Sequence, residues 1–456
     1  MTLTAAELGA GPSPADRRDP VSILTDQDAS RLQDLVPVRH ERMSATPFTF
    51  YRGAAAVMAA DLAATPDSGI VTQLCGDAHL SNFGLFLSPE RRMVFDLNDF
   101  DETHPGPFEW DVKRLAGSLV VAAQANGATD KEARRVARRA ARAYRKTIRT
   151  SAAKGAVACW YDRADAEEVI RHLGDRLDTA ATDEMRRQLK KARHRNSAQA
   201  LSKLCVVDDS GVRIKSDPPL LVPAHEIFTH VDEDVLRDLF DERFVQYRRS
   251  LAGHTATLLD QYELVEAARK VVGVGSVGTR CWIALFAGKD RTDPLFLQLK
   301  EAQESVLAAY TERADFDNQG HRVVFGQQLM QASSDIFLGW LAAPKFTRTD
   351  DGVRKADGTA DFYVRQLRDG KGSVVIEGMP AERLAFYGEL CGAVLAQAHA
   401  RTAARTPIAA YLDGLGKSFD QAVADWSTGY SEINGSDHAK LVAAIADGRL
   451  SAAAME

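Results

Sequence analysis

Cysteine is scarce. Cys75, Cys159, Cys205, Cys281 and Cys391 are the only five in 456 residues, odd in number, widely scattered and never spaced as a CxxC pair. That argues against a disulfide scaffold and against a cysteine zinc site, and reads as reduced, buried thiols of a cytoplasmic protein. No apolar run approaches the roughly 18 residues that a bilayer span requires, so no membrane partner is expected. The N-terminus has no basic region leading into an apolar segment, so no signal peptide is expected. An excess of one charge is missing too: a net charge of −6 does not draw the chain as a whole to nucleic acid or an anionic surface. There is no internal repeat. What remains is ordinary in bulk, 45% apolar and 26% charged, and long enough for two or three structural units around a large core.

Against that plain background one stretch carries chemistry. Gly76-Asp77-Ala78-His79-Leu80-Ser81-Asn82-Phe83 is followed by an apolar run that ends in Val94-Phe95-Asp96-Leu97-Asn98-Asp99-Phe100-Asp101. An acid, an amide five residues on, then an acid closing a short strand is how phosphotransferases of the kinase type arrange their parts. Asp77 would face the acceptor hydroxyl with His79 beside it, while Asn82 and Asp96 would hold Mg²⁺. Each residue alone has a plainer reading, Asp77 as a turn residue and His79 as a satisfied core histidine; the joint spacing is the signal. Asp99, Asp101 and Glu102 crowd the same turn, and such carboxylates repel unless a cation sits among them. Asp99 is therefore a further metal candidate. A hydrolase built on two of these carboxylates would need no nucleotide loop.

A candidate nucleotide loop, or a plain glycine-rich hairpin, lies far downstream. Gly273-Val274-Gly275-Ser276-Val277-Gly278 matches GxGxxG, a weak signal by itself. In a dinucleotide-binding unit an acid near 20 residues on would end the next strand. Asp293 lies at that interval, yet it precedes the strand over 295–299. In the kinase arrangement the loop is a hairpin over the phosphates, and a lysine from a nearby strand pairs with them. Lys300 ends the apolar run Phe296-Leu297-Gln298-Leu299-Lys300, where an unpaired charge would be costly, and this favours the kinase reading. Gly273, Gly275, Ser276, Gly278 and Lys300 are then the expected contacts to ATP or another nucleoside triphosphate. Glu304 is the candidate partner for the lysine, with Glu301 and Glu312 left open. Upstream, Phe48-Thr49-Phe50-Tyr51-Arg52-Gly53 is either a packed turn or a place from which Arg52 reaches a phosphate.

The expected organisation is a mobile arm over 1–30, a catalytic-loop lobe with a helical extension over 31–260, a β-rich nucleotide lobe over 261–376, and helices over 377–456 that return to the catalytic lobe. Strands are expected at 70–75, 92–95, 271–286, 295–299, 321–329 and 362–367, and helices at 110–123, 130–149, 305–311 and 381–401. Residues 208–223 and 347–361 read as loops. The helix over 130–149 carries nine Lys or Arg residues without interleaved aromatics, so it reads as a solvated face and nucleic acid is not an expected partner.

Two resemblances follow from these residues. Cys75-Gly76-Asp77-Ala78-His79-Leu80-Ser81-Asn82-Phe83 resembles the catalytic loop of aminoglycoside and choline phosphotransferases. Val94-Phe95-Asp96, followed by Glu109-Trp110-Asp111-Val112-Lys113-Arg114-Leu115, resembles their metal-binding aspartate and the helix after it. Leu390-Cys391-Gly392-Ala393-Val394-Leu395-Ala396-Gln397-Ala398-His399 resembles the helix that in those enzymes leads into the loop. Over residues 39–437 the chain is similar to a bacterial family known as domain of unknown function 2252, through residues 47–53, 76–84, 98–102, 331–340 and 361–367. After Arg401 that family tends to continue Ser-Gly-Asp, where this chain has Thr402-Ala403-Ala404-Arg405. The family has no established activity, so function rests on the kinase-like loops. They imply an α+β, protein kinase-like two-lobed fold in inverted order, a circular permutation that places the catalytic lobe first. The expected activity is ATP- and Mg²⁺-dependent phosphotransfer to a hydroxyl of an unidentified small molecule or protein. Nucleotidyl transfer at the same site and a nucleotide-binding pseudokinase scaffold are the alternatives.

Overall fold

The computed structural model describes residues 3–174, 179–193, 197–208, 211–229, 231, 233–290, 293–349, 352–367 and 370–453. It mixes helix and sheet, as an α+β chain does.

The helical layer is organised around Phe108–Ala125, whose side chains are buried from Phe108 through Ala123, Lys113 and Arg114 included. Around it pack Asp130–Ala152, Ala381–Ala400 and Lys417–Ala446. Asp130–Ala152 starts at a reciprocal cap, Thr129 with Glu132, that satisfies the first free amides. It turns Ala133, Val136, Ala137, Ala140, Ala141, Tyr144 and Ile148 inward. Its basic face is less solvated than expected. Arg145 donates from both Nε and Nη2 to Asp420 at 2.7 Å, Arg139 donates to Glu389 at 2.8 Å and Arg134 to Asp425 at 2.6 Å. The positive charge of this helix is spent on acids of the C-terminal helices.

The second unit is a six-stranded antiparallel sheet. Its order is Gly339–Thr349, Gly352–Gln366, Pro294–Ala302, Cys281–Ala287, Glu263–Lys270 and Leu221–Pro223. Glu263–Lys270 and Cys281–Ala287 are hairpin partners, and the glycine loop is the connection between them. Pro294–Ala302 pairs next, with Lys300 opposite Cys281. The chain then runs through the helix Gln319–Met330 to the last two strands.

These expected elements differ from what the structure shows. Residues 321–329, read as a strand from their β-branched run, lie in the helix Gln319–Met330. Asn318 caps it, and Asp361 fixes that cap by accepting from Asn318 Nδ2 at 2.8 Å and Gln319 N at 2.7 Å. Residues 306–310 are turns and not a helix. The loop expected over 347–361 is mostly paired strand, with 350–351 outside the described residues, and the one over 208–223 holds the strands Gly211–Ile214 and Leu221–Pro223, with 209–210 likewise outside. The arm expected over 1–30 instead contains the helices Ala5–Gly9 and Pro20–Asp28, with Leu8 and Leu24 wholly buried. Arg17 fastens it by donating to Asp61 at 2.8 Å and by pairing with Asp437.

One junction bears on chain order. The helix Ala381–Ala400 ends beside the strand Val71–Leu74, where the Thr402 and Thr72 hydroxyls lie 2.9 Å apart. That strand runs directly into Cys75 and Asp77.

Candidate functional site

Helical unit and sheet meet at a cleft of about 860 Å³. One wall is Asp77, His79 and Asn82 with Asp99, Asp101 and Glu102; another is Gly273, Val274, Gly275 and Ser276. Residues separated along the chain by the whole helical extension thus face one space.

The catalytic-type loop is set by backbone geometry first. Gly76 has φ +84°, and a Cβ there would fall 2.0 Å from the Glu102 carbonyl oxygen. Only glycine lets this loop lie backbone to backbone against the acidic turn. Asp111, in the first turn of Phe108–Ala125, accepts from Cys75 N at 2.7 Å and Gly76 N at 3.0 Å and meets His399 Nε2 at 3.3 Å. His399 in turn bonds the Tyr144 hydroxyl at 2.8 Å. All three side chains are buried. Asp111→Ala strands two buried amides and a buried histidine, so it is expected to lower unfolding stability by about 3–5 kcal/mol, read from the urea midpoint. An unchanged midpoint would remove Asp111 from the scaffold of the loop.

Asp77 is held by Arg114, whose Nε donates to it at 2.7 Å while its Nη2 donates to the Tyr51 carbonyl at 2.8 Å. Burial pushes the Asp77 carboxyl up, and Arg114 works against that rise. His79 stands beside it, Nε2 3.7 Å from Asp77 Oδ2, and its Nδ1 accepts from Ser81 N at 3.2 Å. Burial, then Arg114 and Arg52, depress its pKa well below the usual imidazole value, so it is neutral. With Nδ1 accepting, the one ring proton is on Nε2, toward Asp77. Asn82 donates from Nδ2 to the Asp77 carbonyl at 2.8 Å, which leaves its amide oxygen as an acceptor.

The acidic residues divide into three kinds. Asp96, expected as a metal ligand, is bonded to backbone amides. Its oxygens accept from Leu97 N at 2.9 Å and Ala332 N at 3.1 Å, and it is absent from the cleft wall. Asp101 is engaged by Lys300 Nζ at 2.6 Å and by the Tyr363 hydroxyl at 2.6 Å. Asp99 stands in the cleft, 3.8 Å from Lys300, with no closer side-chain partner among the described residues. Burial and the neighbouring Asp101 push its carboxyl up, a state that an added cation would relieve.

Lys300 is 2% exposed and reaches, 199 residues back along the chain, to Asp101. Burial opposes its charge, but Asp101 and Asp99 hold it well above the ordinary lysine value. Its carboxylate partner is thus none of the three glutamates considered. Glu301 serves Arg280, accepting from its N at 2.8 Å and its Nη1 at 2.9 Å; Glu304 lines the cleft without reaching the lysine. Gly278 is at the loop's far end, where its carbonyl accepts from Leu32 N at 2.7 Å.

The set fits Mg²⁺. This ion takes oxygen ligands and draws most of them from phosphates and water, so one carboxylate and one amide oxygen suffice on the protein side. Asp99 and Asn82 offer those. Among the described residues no group of three or more His, Cys, Asp or Glu forms a ready-made cage, and such an ion needs none.

A family profile described as an uncharacterised protein conserved in bacteria (DUF2252) matches residues 31–444. The chain belongs to the DUF2252 family. No curated protein and no solved structure matches it. What sequence reasoning missed in this DUF2252 protein is the support behind the loops: Arg114 on Asp77, Tyr363 on Asp101, and Asp111 beneath Cys75 and Gly76. Asp111 had a visible signal, an acid in the first turn of an otherwise apolar helix. Arg114 and Tyr363 had none, because their partners lie far away in sequence.

Proposed function

We propose that this DUF2252 protein is a Mg²⁺-dependent phosphotransferase that uses ATP or another nucleoside triphosphate and phosphorylates a hydroxyl. The observation that carries this reading is the shared cleft: the Asp77-to-Asn82 loop and the glycine hairpin line one cavity, and the lysine of the next strand reaches the acidic turn between them. A glycine loop joining two antiparallel strands, a lysine on the third and a helix after it is the nucleotide-holding order of protein kinases. The junction of Thr402 with Thr72 supports a permuted version of that fold, since the helix there ends where the strand leading to Asp77 begins.

Each residue has a task in this reading. The glycine hairpin would cover the phosphates, Asp99 and Asn82 would hold Mg²⁺, which would offset phosphate charge, and Asp77 would take the proton of the acceptor hydroxyl. The acceptor oxygen would bond to the γ-phosphorus as the bond to the β-phosphate oxygen breaks, with the nucleoside diphosphate as leaving group. Neutral His79 faces Asp77 across 3.7 Å, and the Arg114 guanidinium keeps that carboxylate aimed.

A pseudokinase scaffold is the second reading, and one observation favours it. Lys300 is taken by Asp101, which Tyr363 also holds, and the helix Gln319–Met330 contains no acid to draw the lysine toward a nucleotide. Nucleotidyl transfer would use the same cleft with the nucleotide reversed. Calorimetric titration separates these from unrelated chemistry: ATP or GTP is expected to bind only with Mg²⁺ present, and NAD not at all. Metal-independent binding of NAD, or no nucleotide binding, would overturn the proposal.

A further inference from the structure

We propose that Arg52 is the residue that grips the transferring phosphoryl group, an arginine finger supplied by the chain's own N-terminal helices; this rests on the phosphotransferase reading above. Arg52 ends the helix Pro47–Gly53 and lines the cleft. Its Nε is buried without a hydrogen-bond partner, and among the described residues no carboxylate stands within ion-pair distance of it. Three cations close to it are occupied, while Lys345 lines the cleft as well. Arg280 pairs with Glu301, Lys300 with Asp101, and Arg31 donates to the Val277 carbonyl at 2.5 Å. An arginine cannot escape burial by losing its proton, so a half-buried guanidinium without a partner is a place prepared for an anion.

Its position selects which anion. The backbone around Arg52 is joined to both working loops. On one side, the Arg114 that holds Asp77 also donates to the carbonyl of Tyr51, the preceding residue. On the other, a Cβ on Gly275 would lie 3.3 Å from the Arg52 carbonyl oxygen, and Arg42 donates to the Gly273 carbonyl at 2.7 Å. The helix bearing Arg52 thus sits between the nucleotide loop and the acceptor aspartate. Of the charges acting on Arg52, Asp77 is the strongest, followed by Glu377 and Asp99. The group that passes between the metal-side and acceptor-side acids in a phosphotransferase is the γ-phosphoryl. A planar guanidinium matches its oxygens with two donors at once, which a lysine ammonium does not. Arg52 exchanges no proton in the transfer; it stabilises charge on the three equatorial oxygens as the phosphoryl moves from the diphosphate to the acceptor.

The test compares Mg·ADP with the Mg complex of the non-hydrolysable β,γ-imido analogue of ATP, titrated calorimetrically into wild type, Arg52→Ala and Arg52→Lys. Arg52→Ala is expected to weaken the triphosphate analogue about tenfold or more while Mg·ADP stays within about threefold. Arg52→Lys restores the charge without the fork and falls between. Thermal melting checks the fold; if Arg52→Ala does not fold, Arg52→Lys and Arg52→Gln carry the comparison. Equal binding of both nucleotides in wild type and variants, or an equal loss of both, overturns the assignment of Arg52 and leaves the phosphotransferase reading standing. Failure of the wild type to bind any nucleotide overturns that reading and this inference together.

Discussion

Replacing Asp77 by alanine is expected to lower phosphoryl transfer by on the order of 10²–10⁴ while Mg·ATP affinity stays within a few-fold. The asymmetry follows from where Asp77 stands. Its carboxylate is held by Arg114 and faced by the neutral His79, and the proposal gives it the acceptor, whereas the groups assigned to the nucleotide are Asn82, Asp99 and the glycine hairpin. Removing it takes away the proton acceptor and leaves the phosphate-holding parts in place. Water can stand in for the unidentified acceptor, so slow ATP hydrolysis is the readout, with calorimetry for affinity. Wild-type hydrolysis no faster than that of Asp77→Ala, combined with intact Mg·ATP binding, would replace the enzyme by the scaffold. A large loss of affinity in Asp77→Ala would mean that the aspartate works on the nucleotide and that its role is misassigned.

What the sequence made legible is what has a local signature. The Asp77-to-Asn82 interval, the glycine hairpin and the buried lysine at the end of an apolar strand are each written within ten residues, and each lies at or against the shared cleft. The strong helical periods over 110–123, 130–149 and 381–401 reappear as Phe108–Ala125, Asp130–Ala152 and Ala381–Ala400. What stayed hidden depends on distant partners. The three glutamates considered for Lys300 were all neighbours in sequence, and the partner came from an acidic turn 199 residues away. Val323, Val324 and Phe325 have strand-like composition, yet Asn318 and Asp361 together supply a helix cap that composition does not reveal. The N-terminal residues carry little apolar content of their own, and they fold because Arg17 finds Asp61 and Asp437 and because Leu8 and Leu24 find space against helices formed by the other end of the chain. Asp96 and Asp99 are a sharper case. Both follow an apolar strand at a workable interval from Asn82, and spacing alone cannot rank them. The contact that sets them apart is the amide of Ala332, 236 residues on, which bonds Asp96 and not Asp99.

That contact yields the second large effect, a pair of mutants that fail in opposite ways. Asp99→Ala is expected to weaken Mg-dependent ATP binding about tenfold or more and to flatten its response to added Mg²⁺ or to EDTA, because in the proposed site it removes the carboxylate that would hold the ion. It should cost the fold little, since Asp99 caps nothing beyond a 3.4 Å contact to Asp101 N and its burial already works against its charge. Asp96→Ala should do the reverse. It leaves Leu97 N, in a buried strand, and the part-buried Ala332 N without their acceptor, at a cost of about 1–3 kcal/mol in unfolding free energy, while Mg·ATP affinity in the folded fraction is expected to be kept. Titrating each variant with ATP across a Mg²⁺ series, alongside urea unfolding, reads both quantities from one preparation. If Asp96→Ala loses metal dependence and Asp99→Ala retains it, the ion is held from the strand end and not from the cleft wall. The fit of Asn82 with Asp99 would then be wrong, and with it the step in which the acidic turn carries the metal.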